Sequence, residues 1–300
     1  MPAKTFPIFI VPLIIIISTL LASFLPPSQK DPSRASKIPV VTSIYPLFFF
    51  AQEIGGDKVN LINLTPPGLE PHDYEPTARD LATIEQSRLL ILSGGFEPWA
   101  DKIRANLQEK SVRILVAGEN LGIQSADPHV WLSPTLAKAE AERIADTLTQ
   151  IDPQNEAYYQ TNSQNLHQEL DVLEAAYRQS LANCARRDFI TSHAAFGHLA
   201  QAYGLNQIPI AGLSPDEEPS PKQLAEITNL ARSRRVNYIF FESLTSPKLS
   251  ETLASEIGAQ ILVLDPLEGL SEKAIMEGKT YFTVMQDNLA NLKIALQCTK

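Results

Sequence analysis

Cysteine is scarce in this chain: Cys184 and Cys298 are the only two in 300 residues. They fit either a single disulfide in an oxidising compartment or two buried thiols, and the spacing alone does not choose between them. Neither lies near the N-terminal apolar run, which excludes a lipid-modified cysteine as an anchor there. Basic residues are in deficit as well. Lys and Arg number 25 against 34 Asp and Glu, a formal charge of −9. Such a chain lacks the basic face that a general nucleic-acid binder needs to neutralise phosphates, so no nucleic-acid partner is expected. Histidine is sparse too, with five in the whole chain, which gives weight to where each one falls.

What is present begins with an apolar segment. "MPAKTFPIFIVPLIIIISTLLASFLPPSQK" carries Lys4, then an uncharged run from Phe6 to about Leu25, then polar residues, the pattern of a secretory signal. The run is about 20 residues long, close to a bilayer span, and no clean A-x-A site follows it, so an uncleaved anchor stays open beside cleavage. Residues 1–37 are read as signal or anchor plus spacer, and the rest as an exported, periplasmic or otherwise extracytoplasmic protein. At 44% hydrophobic, that remainder can bury one large core or two lobes.

Past the spacer, short runs rich in β-branched residues alternate with helical patterns. "IPVVTSIYP", "VNLINLTP", "LLILSGG" and "VRILVAG" read as strands, with "LFFFAQEIGG" and "EPWADKIRANLQ" as helices among them. A second series follows: "RDFITSH", "NQIPIAGLSP", "VNYIFFES" and "AQILVLDPL", separated by three further helical stretches. The expected fold is α/β, with two (βα) lobes of parallel sheet. Between them Asn155–Leu181 has no Gly or Pro and keeps Leu166, Leu170, Leu173, Tyr177 and Leu181 at spacings of three and four. That is one stiff amphipathic helix about 40 Å long at 1.5 Å per residue, which restricts hinge motion. The resulting divisions are a first lobe at 38–150, a linking helix at 151–183 and a second lobe at 184–300.

Ligands of open α/β sheets bind at the carboxyl ends of the strands. Four side chains fall there in matched pairs: His72 in "GLEPHDYEPT" and His129 in "DPHVWLSP" from the first lobe, His193 ending "DFITSH" and Asp265 ending "ILVLDP" from the second. Three imidazoles and one carboxylate can complete a tetrahedral Zn²⁺ shell with no open position. The third nitrogen tilts the choice away from Mn²⁺, which favours oxygen-rich shells. Taken singly, each has an ordinary explanation. A loop His is more often solvated than a ligand, His193 could be a satisfied core residue, and Asp265-Pro266 could be a turn whose carboxylate accepts backbone N–H groups. Glu242, closing "YIFFES", competes for the carboxylate role and ranks below Asp265. His198 points to a different helix face from His193, and His167 lies on the linking helix.

In combination and order, "GLEPHDYEPT", "DPHVWLSP", "TSHAAFGHLA" and "FFESLTSPKLSETLASEIGAQILVLDPL" resemble the zinc/manganese-type solute-binding proteins of bacterial ABC transporters. The likeness runs from about Ile38 to Cys298. It implies metal held between two lobes by His72, His129, His193 and Asp265, with His at the third position as in the zinc branch. It further implies a non-catalytic, monomeric capture protein that delivers Zn²⁺ to a membrane permease driven by a cytoplasmic ATPase. Mn²⁺ or Fe²⁺ capture by the same residues is the nearest rival. A zinc hydrolase using the three His around a metal-bound water, with Asp265 or Glu242 as base, is the rival from another class. Many zinc-branch proteins carry a His- and Asp-rich loop before the second ligand, whereas "VAGENLGIQSADPH" is short and has no His besides His129. The resemblance also implies a second-lobe disulfide, with Cys184 just before the first strand of that lobe and Cys298 in its last helix.

Overall fold

The computed structural model describes residues 37–107, 110–121, 127–217 and 219–299. The apolar N-terminal run and part of the "VAGENLGIQSADPH" stretch lie outside the described residues. No helix among the described residues is long and apolar enough to cross a membrane.

Two four-stranded sheets form, both parallel throughout. The first comprises β1 (Ile38–Thr42), β2 (Val59–Asn63), β3 (Leu89–Leu92) and β4 (Arg113–Val116) in the spatial order β2-β1-β3-β4. The second comprises β5 (Asp188–Thr191), β6 (Asn206–Pro209), β7 (Tyr238–Phe241) and β8 (Gln260–Val263) in the order β6-β5-β7-β8. The inner strand Leu-Leu-Ile-Leu of β3 is buried at every residue, as a strand covered by helices on both faces must be. The edge strand β2 alternates instead, with Asn60 and Ile62 facing outward.

Ten α-helices cover these sheets among the described residues: α1 (Tyr45–Gly55), α2 (Ala78–Gln86), α3 (Ala100–Asn106), α4 (Pro134–Ile151), α5 (Glu156–Leu181), α6 (Gly197–Tyr203), α7 (Pro221–Ser233), α8 (Lys248–Ile257), α9 (Glu272–Met276) and α10 (Tyr281–Ala295). The linking helix α5 is 26 residues long and buries Leu166, Leu170, Leu173, Tyr177 and Leu181, the predicted stripe. Each buried leucine of that stripe contributes about 1.5–3 kcal/mol. Helix α2 was not anticipated, because of its nine residues only Ile84 is buried. Its signal was the capping box of Thr77 with Asp80.

One hydrophobic core runs from α1 through α4 and α5 into the second lobe and α10. Phe49 stacks on Tyr281 with ring centroids 5.7 Å apart, and Phe50 meets the same ring edge-on at 5.0 Å. The Tyr281 hydroxyl donates to the Trp131 carbonyl at 2.6 Å, and Tyr177 donates to the Met285 carbonyl at 2.7 Å. The C-terminal helix is therefore packed on first-lobe aromatics as well as on its own sheet. Cys184 and Cys298 are disulfide-bonded. Cys298 lies beyond the end of α10 rather than inside it, paired as an antiparallel bridge with Cys184.

Candidate metal centre

Every residue of the centre follows a strand of one of the two sheets. His72 comes after β2 in a single 3₁₀ turn, Pro71–Asp73, which Glu70 caps by accepting the His72 backbone N–H at 3.2 Å. Its imidazole packs on Phe96 with centroids 4.2 Å apart. His129 follows β4. Asp127 Oδ1 accepts both its backbone N–H at 3.0 Å and its Nδ1–H at 2.7 Å. His193 lies two residues past β5, its carbonyl fixed by Thr191 Oγ1 at 2.7 Å and Gln207 Nε2 at 2.9 Å, and its Nδ1–H donates to Glu242 Oε1 at 2.6 Å.

A carboxylate accepts but does not donate, so Asp127 and Glu242 each hold a ring hydrogen of His129 and His193 on Nδ1 and turn both Nε2 atoms inward. Those two imidazoles are 0% exposed. Their Nε2 atoms are 3.4 Å apart. Both face Glu268 Oε1, at 3.0 Å from His129 and 3.2 Å from His193. His72 Nε2 stands 3.4 Å from the same oxygen, and it is buried with no hydrogen-bond partner. One donor atom from each of His72, His129, His193 and Glu268 falls within 4.8 Å of all the others.

The three expected histidines are brought together, but the carboxylate beside them is Glu268 and not Asp265. Asp265 is used as a turn: its Oδ1 accepts the Leu267 N–H at 2.8 Å, the two-residue reach of an Asx turn. Its backbone N–H and carbonyl are both held by the Asn288 side chain, at 2.8 and 2.7 Å. Leu267 then takes φ +59°, a left-handed conformation that reverses the chain and aims Glu268 into the cleft. Asp265 takes the turn role that its Asp-Pro pairing allowed, and the carboxylate among the clustered donors is that of Glu268, three residues later. Glu242, the competitor for the carboxylate role, orients His193 instead. His198 Nε2 donates to the Asp127 carbonyl at 2.9 Å and is not among the clustered donors.

First-lobe residues hold the strap that carries Glu268. Trp131 Nε1–H donates to the Pro266 carbonyl at 2.8 Å, Tyr45 N–H to the Glu268 carbonyl at 3.3 Å, and Gly68 N–H to the Leu270 carbonyl at 2.9 Å.

The electrostatics suit a cation. Burial alone would lower the His193 pKa, but the Glu242 and Glu268 carboxylates outweigh it and raise the value to about 10. His129 is raised in the same way: burial opposes the shift, and Asp127 with Glu268 reverses it. Burial would push Glu268 up, yet three imidazoles hold it well below the ordinary carboxylate range. Glu70, by contrast, is pushed up to about 9 by burial and by the neighbouring Glu268 charge. The pocket therefore favours positive charge.

A family model described as "ZnuA: Zinc-uptake complex component A periplasmic" matches residues 40–295. The chain belongs to that family. It is 38% identical over 284 residues to the high-affinity zinc uptake system protein ZnuA of Bacillus subtilis strain 168, covering 88% of this chain and 89% of that protein. It is 34% identical over 299 residues to the zinc-binding lipoprotein AdcA of Streptococcus pneumoniae serotype 4, and spans 60% of the length of that relative. The Zn(II)-bound ZnuA-like domain of S. pneumoniae AdcA superposes with a TM-score of 0.79 at 37% identity, covering 87% of this chain and 99% of that domain. YcdH of B. subtilis, a metal-dependent lipoprotein, gives 0.77 at 41% identity, covering 87% and 99%. The two-lobed α/β fold is the fold of these structures. Proteins of this family are extracytoplasmic solute-binding components of transport systems.

Proposed function

We propose that this protein captures Zn²⁺ between its lobes with His72, His129 and His193 through Nε2 and Glu268 through its carboxylate, and hands the ion to an ABC permease. The observation that carries this reading is the spacing of the donors. Four ligands about 2.0–2.1 Å from a tetrahedral Zn²⁺ stand about 3.3 Å apart along the edges. Four of the six donor separations, 3.0, 3.2, 3.4 and 3.4 Å, lie close to that value, and all donors lie within 4.8 Å of one another. The unpartnered His72 Nε2 supports the same reading, since a buried polar atom without a partner costs free energy.

Four protein donors close the shell, which favours carriage over hydrolysis, because a catalytic zinc keeps one position for water or substrate. Three nitrogens and one oxygen favour Zn²⁺ over Mn²⁺. The export signal or uncleaved anchor read in residues 1–37 would place the site outside the cytoplasmic membrane, with the permease and its cytoplasmic ATPase as partners and the capture protein itself a monomer.

Competition titration with a chromophoric chelator tests the ligand set. The wild type should bind one Zn²⁺ per chain. Glu268→Ala should weaken binding by more than about 100-fold, above the range set by residues that only support ligands, while Asp265→Asn should change it far less. Equal losses in the two variants would refute the assignment of the fourth donor.

A further inference from the structure

The "GH" of "TSHAAFGHLA" takes no part in the donor cluster, yet both residues press on it from the opposite lobe. His198, on α6 of the second lobe, is 4% exposed. It reaches across to the segment between β4 and α4 of the first lobe, where its Nε2–H donates to the Asp127 carbonyl at 2.9 Å. The same nitrogen stands 3.8 Å from Asp127 Oδ2. Gly197 lies against that same oxygen: a Cβ there would be 2.7 Å from Asp127 Oδ2. Asp127 is the residue whose Oδ1 holds both the backbone and the Nδ1 of His129.

We infer that His198 is a positioning residue for the metal site, acting from the second lobe through Asp127 to fix the ring of the first-lobe ligand His129. His198 fixes the main chain of Asp127, and Gly197 leaves room for its carboxylate. With both in place, Oδ1 can accept two hydrogens from His129 and hold its Nε2 toward Glu268. Without His198 the Asp127 carbonyl loses its donor from the second lobe, and the position of that segment is no longer set across the cleft. The ring of His129, held by Asp127, loses that constraint with it. This role rests on the zinc reading above.

The test uses Zn²⁺ affinity and the visible spectrum of the Co²⁺-loaded full chain. His198→Ala should raise the Kd for Zn²⁺ about tenfold, the low end for residues that orient a metal-bound His, and should alter the Co²⁺ bands. His198→Gln, whose amide can donate from nearly the same place, should recover most of both. Gly197→Ala, whose added methyl would crowd Asp127 Oδ2, should change the spectrum in the same direction. In an Asp127→Asn background His198→Ala should cost little more, since both act along one path. Tyr203→Leu is the control. It disturbs the same helix at the Tyr177 stack, 5.2 Å between centroids, and should lower the melting temperature while leaving affinity and spectrum unchanged. Wild-type affinity in His198→Ala, or losses that add fully with Asp127→Asn, would overturn the role. A wild type that takes up no Zn²⁺ would instead overturn the zinc reading itself.

Discussion

The two lobes share one strand order and supply ligands in opposite ways. In the first sheet the edge strands β2 and β4 send out His72 and His129 on separate excursions, each stiffened by its own local device: the Glu70-capped turn for one, Asp127 for the other. In the second sheet His193 comes almost directly off the inner strand β5, but Glu268 lies on a strap after β8 that hangs from Trp131, Tyr45 and Gly68 of the first lobe. The second-lobe carboxylate is thus held in part by the first lobe, and the first-lobe His129 is braced by the second through His198. Neither lobe holds a finished half of the site. Such cross-bracing suits a closed shell with donors from both lobes.

The largest effect should come from removing a donor of either lobe. His129→Ala and His193→Ala should each weaken Zn²⁺ binding by more than about 100-fold, beyond the span set by orienting residues. Were one lobe able to hold zinc alone, one of these variants would retain near-normal affinity in competition titration. His193→Glu should keep binding but shift the Zn²⁺/Mn²⁺ preference toward Mn²⁺, because it replaces a nitrogen with an oxygen and adds negative charge.

Next in size is the response to pH. In the metal-free fold His193 is raised to about 10 and His129 is raised in the same direction. His193 must give up a proton to bind metal, so affinity should climb with pH through neutrality and fall steeply as pH drops toward 5. Calorimetry in buffers of different ionisation enthalpy should detect proton release on Zn²⁺ binding at pH 7.5. An uptake curve flat between pH 5 and 7.5 would contradict the imidazole ligands. For metal-free stability the sign is set by the same shifts. Pairing of His193 with its carboxylates contributes fully below the unfolded value near ~6.5, and that contribution is lost as pH rises through about 10.

A smaller effect separates the strap from the sheet. Trp131→Phe keeps most of the buried ring but removes the donor to the Pro266 carbonyl. It should cost about 1–3 kcal/mol of stability and weaken Zn²⁺ binding by several-fold through Glu268. If the strap were held by its own lobe, the affinity would not change.

How far this arrangement was legible in the sequence depends on which residues are asked about. Apolar runs such as Leu89–Leu92 and the three-and-four spacing from Leu166 to Leu181 identified strands and the linking helix directly, because burial on fixed periods leaves a pattern. The three histidines were legible because few exist and each follows a strand. Glu268 was not, since the strand-end rule stops at Asp265 and the Asx turn with left-handed Leu267 has no periodic signature. The roles of Glu242 and His198 depend on contacts across 49 and 71 residues, which one-dimensional spacing does not carry.

The smallest expected effect on metal binding belongs to the disulfide. Cys184 and Cys298 close a separation of 114 residues at the end of the second lobe. Replacing both by Ser should lower stability by about 2–5 kcal/mol in chemical denaturation with Zn²⁺ affinity nearly unchanged, since neither residue is among the clustered donors. A large loss of affinity would mean that the C-terminal end supports the strap more than the first lobe does.

The account turns on the identity of the four atoms around the ion, and X-ray absorption spectroscopy of the Zn²⁺-loaded protein reads them directly. The prediction is a four-coordinate site with three imidazole nitrogens and one carboxylate oxygen at about 2.0–2.1 Å, which loses its carboxylate oxygen in Glu268→Ala and is unchanged in Asp265→Asn. A spectrum altered by Asp265→Asn and unaffected by Glu268→Ala would contradict it.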